Sequence, residues 1–169
     1  MVEHEQEELI RIVIKALEKT HQRGILLSGW SKLDFTGLPA SILGIEAVPH
    51  DWLFQKVAAV VHHGGAGTTA VGLRAGVPSI IVPSFGDQFF WGERVYELGV
   101  GSRPIPRKKL TADKLANAIE QTLENDAVQK NAVDISQRIQ AENGVETAIQ
   151  IIERFVRDWQ TRGIQNVSS

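Results

Sequence analysis

The feature that most restricts the fold is an apolar segment that runs directly into glycines. Residues 57–62 (VAAVVH) form a continuous apolar run typical of a buried β-strand, and the glycine-rich residues 64–67 (GGAG) end it abruptly. A short helix is predicted next, over residues 68–75. A buried strand that turns through glycines into a helix is the unit from which parallel α/β sheets are built.

The same alternation of short apolar runs and amphipathic segments continues along the chain. Further strands are predicted at residues 25–27, 44–48 and 79–82, with a weak last strand at 100–105. Further helices are predicted at residues 3–22 and 89–98, after N-caps at Thr111 and Asp126, and after Gly144. The pattern predicts an α/β fold, a Rossmann-like parallel sheet with helices on both faces.

Composition excludes several classes of protein. The 169 residues include no cysteine, which rules out disulfide scaffolds, thiolate metal sites and thiol nucleophiles. The net charge of −2 argues against a nucleic-acid or polybasic membrane surface, and no apolar run is long enough to span a membrane. The acidic start, MVEHEQEEL, resembles neither a signal nor a transit peptide, so a cytoplasmic location is expected.

The glycine turn predicts an anion site. Glycines allow close backbone approach, and the free N–H groups at the start of the next helix attract an anion, as do threonine hydroxyls. The candidate diphosphate ligands are His63, Gly65, Ala66, Gly67, Thr68 and Thr69. There is no GK[ST], which excludes a P-loop, but residues 65–70 fit the loose dinucleotide pattern G-x-G-x-x-G/A. The alternative is that the glycines only make a tight turn.

The two histidines before the glycines should behave differently. Adjacent strand residues point to opposite faces, so one ring is expected to pack inside while the other faces a ligand. We predict that His63 is the ligand contact and His62 the packed ring. The same geometry makes the pair a poor metal site, and no metal is expected.

A second constellation follows the next strand. Asp87 and Gln88 lie side by side on a loop, and a carboxylate beside an amide can share the hydroxyls of a sugar. The alternative is that Asp87 caps the helix that begins near Phe89. Because both loops follow neighbouring parallel strands, we predict sugar binding, with capping possible as well.

These residues resemble a known family. The segments VPHDWLF, HHGGAGTT, GLRAGVPSIIVP and FGDQFFWGERV are similar to the C-terminal, donor-binding domain of GT-B glycosyltransferases, in particular the sterol 3-β-glucosyltransferase branch and other UDP-glucosyltransferases. The resemblance runs from the first helix to Ile152. It implies a nucleotide-sugar donor, most often UDP-glucose, no cofactor, and inverting, metal-independent transfer to a hydroxyl of a lipophilic acceptor such as a sterol.

The resemblance also implies roles for individual residues. His63 and the amides and hydroxyls of the glycine turn would hold the diphosphate, and Asp87 with Gln88 the sugar. The backbone of Val48 and His50 would contact the nucleobase. Two positions depart from plant relatives: Ala47 stands where they have an aromatic residue near the base, and Val71 where they have a ribose-binding Glu. Trp30 is a candidate substitute for the missing aromatic residue.

The domain assignment that follows is a nucleotide-sugar donor domain over residues 1–160 and a tail over 161–169. The resemblance places the catalytic base and most of the acceptor pocket in a preceding N-terminal domain, so no catalytic residue is expected in this chain. It also places a central first strand before residue 3. Without that strand, a gap is expected between the strands at Ile25 and Val57, with rearrangement or self-association covering the edges.

Three functions therefore remain open. The first is the donor-binding half of a glycosyltransferase, inactive alone, which would be peripheral to a membrane in the full-length enzyme. The second is a non-catalytic sugar-nucleotide-binding module or gene fragment. The third, less favoured, is a nicotinamide or flavin oxidoreductase that uses the glycine pattern.

Overall fold

Helices and short parallel strands alternate in the computed structural model, which describes residues 3–29 and 33–165. The helices are α1 (Glu3–Lys19), α2 (His50–Phe54), α3 (Ala66–Ala75), α4 (Gln88–Glu97), α5 (Ala112–Glu124), α6 (Asp126–Ala141) and α7 (Gly144–Gln165). The strands are β1 (Gly24–Leu27), β2 (Ile42–Ile45), β3 (Val60–His62) and β4 (Ser79–Ile81), and a short 3-10 helix spans Arg107–Lys109. The predicted α/β class is confirmed.

The strands form two separate parallel pairs. β1 pairs with β2, from Gly24 opposite Ile42 to Leu27 opposite Ile45. β3 pairs with β4, from Val60 opposite Ser79 to His62 opposite Ile81. No pairing joins the two sheets in the described part of the chain. The break falls where a gap was predicted, between the strand at Ile25 and the strand that leads into the glycines.

Each pair has a free edge. The backbone N–H groups of Gly24 and Ser28 donate to Ser41 and Ile45, so these alternate residues of β1 face β2. The intervening residues, Ile25 and Leu27, therefore direct their N–H and C=O groups away from β2. By the same alternation Val61 faces away from β4, because Val60 N–H donates to Pro78 and His62 C=O accepts from Val82.

Helices cover β4 on both faces, which explains why its residues are the most deeply buried. Ile80 is fully buried in the larger core, against α1 and α5, and Ile81 is fully buried in a second core, against α4 and α6. A third apolar cluster joins α2, β3 and α3, and Leu27 of β1 packs against it. The carboxyl ends of β3 and β4 are thus held by packing from several sides.

Three local predictions were wrong. The second strand spans Ile42–Ile45 rather than residues 44–48, and the Phe35 ring packs against Gly44 in the middle of it. Residues 100–105 make one bridge, Gly101 to Ser79, rather than a strand, although the Ile105 N–H still donates to the Ile81 carbonyl at 2.9 Å. The predicted cap at Thr111 is confirmed, its hydroxyl accepting from Lys114 N–H at 3.3 Å.

The third error concerns the start of α6. Its cap is Asn125 rather than Asp126: the Asn125 side-chain oxygen accepts from the N–H groups of Ala127 at 3.0 Å and Val128 at 3.3 Å. Asn125 also terminates α5, so one residue separates two helices. A side-chain acceptor at this position satisfies two of the amides that a helix start leaves free.

The chain divides into two compact units, Met1–Gln137 and Arg138–Ser169. The second unit contains α7, whose described apolar side chains are exposed, among them Phe155 and Trp159. In the described residues, no helix is both long and apolar enough to cross a bilayer. The predicted limits of the donor domain, 1–160, stay a prediction.

Candidate functional site

The two loops singled out from the sequence lie against each other. Gly64, directly after β3, is buried beside the first residue of α4: a Cβ atom at position 64 would lie 3.1 Å from the Gln88 carbonyl oxygen. The same atom would lie 2.5 Å from Cγ2 of Ile81. Gly64 has a φ of +88°, which a side chain rarely adopts. The absence of a side chain at 64 therefore lets the glycine turn and the Asp87 loop share one edge.

The histidine pair is divided as the strand alternation predicts. His62 is partly buried, with its Nε2 atom inaccessible to solvent, whereas His63 is exposed. The two rings are perpendicular, with centroids 6.3 Å apart. His63 lies over the start of α3, because a Cβ at Gly65 would be 2.6 Å from its Nε2. An imidazole nitrogen and a helix N-terminus therefore face the same space.

The start of α3 offers free donors in that space. Gly65 is the N-cap, and the first helical hydrogen bond runs from Thr69 N–H to the Gly65 carbonyl at 3.0 Å. The amides of Ala66, Gly67 and Thr68 consequently have no partner within the helix. Ala66 and Gly67 are exposed, and apart from the adjacent residues and the backbone of α3 itself, no atom of the described residues lies within 4 Å of where a Gly67 Cβ would be. The arrangement suits an anion.

The two threonines of the turn differ in what they can offer. Thr68 is half-buried, and its hydroxyl makes no hydrogen bond to the described residues. Thr69 is 1% exposed, and its hydroxyl donates to the Gly65 carbonyl at 2.9 Å. In this structure the buried Thr69 hydroxyl therefore stabilises the turn through its bond to Gly65. The sequence had predicted a direct contact with phosphate instead.

The side chain of Gln88 stabilises the loop that precedes it. The Gln88 side chain is 6% exposed, and its Oε1 accepts from the N–H groups of Ser84 at 2.8 Å and Phe85 at 3.3 Å. Its amide nitrogen donates to none of the described residues. Gln88 thus shapes the loop with its oxygen and offers only its nitrogen to a ligand.

Asp87 is exposed and does not cap α4. It occupies the N-cap position, but its side chain makes no capping hydrogen bond. Its Oδ2 instead accepts from the indole N–H of Trp91 at 3.1 Å, one helical turn later. The i, i+4 spacing of Asp87 and Trp91 near the start of a predicted helix is the signal in the sequence for this contact. Trp91 holds the carboxylate while Oδ1 accepts from no described residue.

Two of the three residues assigned to the nucleobase, Val48 and His50, lie in the described part of the chain. Val48 packs against the cluster formed by α2, β3 and α3, and His50 begins α2 with its ring stacked on Phe54 at 5.1 Å. Trp30 lies outside the described residues. Val71 packs against the same cluster, and its apolar side chain has no group that could hydrogen-bond a ribose. Ala47 is exposed.

Electrostatics separate the roles of the histidines further. Burial, followed by the positive charges of His63 and His50, lowers the pKa of His62 from 6.5 to about 4. His62 is therefore neutral near pH 7. Among the described residues, no three His, Asp or Glu side chains gather closely enough to hold a metal ion.

Sequence comparison relates the chain to one protein family. The model for the erythromycin biosynthesis protein CIII-like C-terminal domain matches residues 21–154. The sterol 3-beta-glucosyltransferases UGT80B1 and UGT80A2 of Arabidopsis thaliana are 44% and 47% identical, over 86% of this chain. The chain spans 24% and 23% of the lengths of these two relatives.

Solved structures agree with this family. A glycotransferase of kitacinnamycin superposes with a TM-score of 0.78 at 26% identity, covering 86% of this chain and 38% of that one. The glycosyltransferase VinC, solved in complex with DTDP, superposes with a TM-score of 0.65 at 24% identity, covering 79% of this chain and 42% of that one. The chain therefore belongs to the erythromycin biosynthesis protein CIII-like C-terminal domain family, that is, to the C-terminal half of the GT-B glycosyltransferases.

Proposed function

We propose that this chain is the donor-binding part of an inverting glycosyltransferase that transfers a hexose, glucose in the first instance, from a UDP-sugar to a hydroxyl of a lipophilic acceptor such as a sterol. The observation that carries the proposal is the contact between Gly64 and Gln88, which sets an anion-binding turn beside a loop with a free carboxylate oxygen. A nucleotide sugar joins a diphosphate directly to a polyhydroxyl group, so it suits a site in which these two loops lie side by side.

The diphosphate would lie at the start of α3. The amides of Ala66 and Gly67 and the Thr68 hydroxyl donate to phosphate oxygens, and His63 donates from the open side of Gly65. Thr69 supports the turn through the Gly65 carbonyl. Donors fixed before the ligand arrives lose little entropy on binding, so they suit a group whose charge changes during the reaction.

The sugar would lie at the Asp87 loop. Asp87 accepts from hydroxyls through Oδ1 while Trp91 holds Oδ2. Gln88 donates from its amide nitrogen. The nucleobase is assigned to the backbone of Val48 and His50, with Trp30 as the candidate stacking residue. The DTDP in the VinC structure supports a nucleoside diphosphate as the ligand of this fold.

The chemistry follows from the charge that develops as the glycosidic bond breaks. An acceptor hydroxyl oxygen attacks the anomeric carbon from the face opposite the leaving group, and the anomeric carbon's bond to the diphosphate oxygen breaks. Its electron pair stays on the β-phosphate, where His63 and the α3 amides stabilise it. In this proposal these donors act without a metal. The base that takes the acceptor's proton, and the acceptor pocket, belong to an N-terminal domain.

Calorimetric titration of UDP, UDP-glucose and NADH into the chain tests the proposal. UDP and UDP-glucose should bind, NADH should not, and His63→Ala should weaken UDP binding about tenfold or more, since hydrogen bonds to charged groups are among the stronger ones. His21→Asn is the matched control, because His21 is an exposed imidazole in the turn before β1. Binding of NADH in preference to UDP would support the oxidoreductase alternative.

The non-catalytic alternative makes a different prediction for the complete protein. A sugar-nucleotide-binding module would bind UDP-glucose yet release no UDP with any acceptor. A glycosyltransferase would release UDP when a sterol or another lipophilic alcohol is supplied together with the N-terminal domain. Membership of a glycosyltransferase family favours the second outcome.

We further propose that the free edges of β1 and β3 are covered in solution. Ile25 and Val61, whose side chains are 41% and 44% exposed, mark these edges. Exposed apolar edges favour strand addition, which leads to a homo-oligomer or to docking of the N-terminal domain. The proposed location is cytoplasmic, peripheral to a membrane in the full-length enzyme. Sedimentation of the chain alone tests whether it forms a homo-oligomer, and vesicle binding of the full-length protein tests the membrane-peripheral location.

A further inference from the structure

The His62 side chain uses only one of its two ring nitrogens. Gly64 N–H donates to His62 Nδ1 at 3.1 Å. The other nitrogen, Nε2, is buried and has no hydrogen-bond partner among the described residues. Because Nδ1 accepts a hydrogen bond, the proton of the neutral ring must be on Nε2. His62 thus buries an N–H donor that none of the described residues accepts from.

An unpartnered buried donor is unfavourable, and a phenylalanine ring would fill nearly the same space without that penalty. What an imidazole adds at this position is the Nδ1 acceptor. Its acceptor role depends on a neutral ring, and the lowered pKa of His62 keeps the ring neutral near pH 7. The surroundings therefore favour the form of the ring that holds Gly64.

The bond from Gly64 fixes the peptide group that links residues 63 and 64. Gly64 has a φ of +88°, in the left-handed region that favours glycine. His63 lies on one side of the fixed peptide, and Gly65, the N-cap of α3, lies on the other. The 2.6 Å spacing between His63 Nε2 and the Cβ position of Gly65 depends on the orientation of both.

We propose that His62 is a positioning residue of the diphosphate site: by accepting from Gly64 N–H, it sets His63 and the start of α3 in the relative orientation that binds the diphosphate. This inference rests on the proposed function. His62 touches no ligand in it. The bond resembles an Asx turn, in which a side-chain acceptor at one residue binds the amide two residues later.

Three substitutions separate the acceptor from the ring. His62→Phe keeps a ring and removes the acceptor. His62→Asn removes the ring but places a carbonyl oxygen close to the position of Nδ1, as in an Asx turn. His62→Gln also has a carbonyl oxygen, but its side chain is one methylene longer, so the oxygen lies beyond the reach of a turn between neighbours two residues apart.

Two measurements on the complete 169-residue chain test the proposal. Calorimetry at pH 7.5 gives the affinity for UDP, and amide exchange measured by NMR gives the protection of Gly64 N–H. We expect His62→Phe and His62→Gln to bind UDP about three- to tenfold more weakly and to expose Gly64 N–H to faster exchange, since one neutral hydrogen bond is lost. His62→Asn should stay within about twofold of the original chain in both measurements.

If His62 only filled space, asparagine would not restore UDP affinity, because its side chain is far smaller than that of histidine. Equal UDP affinity in the original chain and in folded His62→Phe would overturn the proposal. The proposal would also be overturned if His62→Asn bound UDP as weakly as His62→Gln. This second comparison is the test to use if His62→Phe does not fold. If the original chain binds no UDP, the proposed function fails, and with it the diphosphate role of His62; Gly64 exchange still shows whether His62 holds the turn.

Discussion

Gly64 lies so close to Gln88 that the two residues leave no space for a side chain between them. A Cβ atom on Gly64 would lie 3.1 Å from the Gln88 carbonyl oxygen and 3.7 Å from its Cα, both of them backbone atoms. The Ile81 side chain, which would meet the same Cβ atom, has little freedom to move aside because it is fully buried in a core with Val95. The distance between the glycine turn and the Asp87 loop is therefore set by a glycine.

Gly64→Ala should destabilise the fold. The substitution puts a side chain at a φ of +88° and forces it against Ile81 and Gln88, so we expect a loss of about 2–4 kcal/mol in the free energy of unfolding. Urea denaturation followed by circular dichroism measures it. A loss below about 0.5 kcal/mol would show that the two loops can separate without penalty.

Gly67→Ala should separate binding from stability. Gly67 is a helical residue with open space at its Cβ position, so alanine should leave the free energy of unfolding unchanged or raise it by up to about 1 kcal/mol. The added methyl group occupies the space assigned to the phosphate, and UDP affinity should fall about tenfold or more. A variant that is as stable as the original chain and binds UDP equally well would place the ligand elsewhere.

Asp87→Asn should weaken the hold on the sugar alone. Asparagine keeps an oxygen for the Trp91 indole N–H but loses the charge that accepts from hydroxyls. UDP-glucose affinity should fall about tenfold, while UDP affinity stays within about twofold. Glu93→Gln is the matched control, an exposed carboxylate on the same helix. A parallel loss of UDP affinity in Asp87→Asn would assign Asp87 to the nucleotide instead.

Stability should fall in mild acid because of His62. Its pKa is lowered from 6.5 to about 4 in the folded chain, so the unfolded chain binds more protons between those values and stability rises with pH across this window. The stabilisation is complete above pH 6.5, and about 3 kcal/mol of it is lost on going down to pH 4. His62→Phe removes the titrating group.

The comparison of urea denaturation at pH 7.5 and pH 4 in both proteins isolates that contribution. The original chain should lose about 3 kcal/mol more than His62→Phe over this interval. Equal losses would mean that the His62 ring is accessible to solvent and takes up a proton in the folded state at its ordinary pKa.

The sequence predicted the edge of the sheet where the site lies, because its signals are local. A strand that ends in glycines, and the alternation of side chains along it, were enough to place His62 inward and His63 outward. Contacts between residues far apart in sequence were beyond reach. Nothing in the pattern shows that Phe35 packs on Gly44 or that Gly64 meets Gln88.

The direction of a buried polar side chain was also beyond sequence reasoning. Gln88 and Thr69 were both assigned to the ligand because an amide and a hydroxyl beside a glycine turn can bind one. The structure directs the Gln88 oxygen to backbone amides at Ser84 and Phe85, and the Thr69 hydroxyl to the Gly65 carbonyl. The backbone groups of a loop compete with a ligand for the hydrogen bonds of nearby polar side chains, and a residue pattern does not show which of the two binds them.

The break between the two strand pairs affects how the molecule melts. β1 and β2 are linked to β3 through side chains such as Leu27, without a backbone ladder across the break. We therefore expect residues 24–45 to unravel first on warming, while the segment that carries the glycine turn keeps its amide protons longer. The break between β1 and β3 would then separate a small early-melting segment from a late-melting remainder, and calorimetric scans would record two steps.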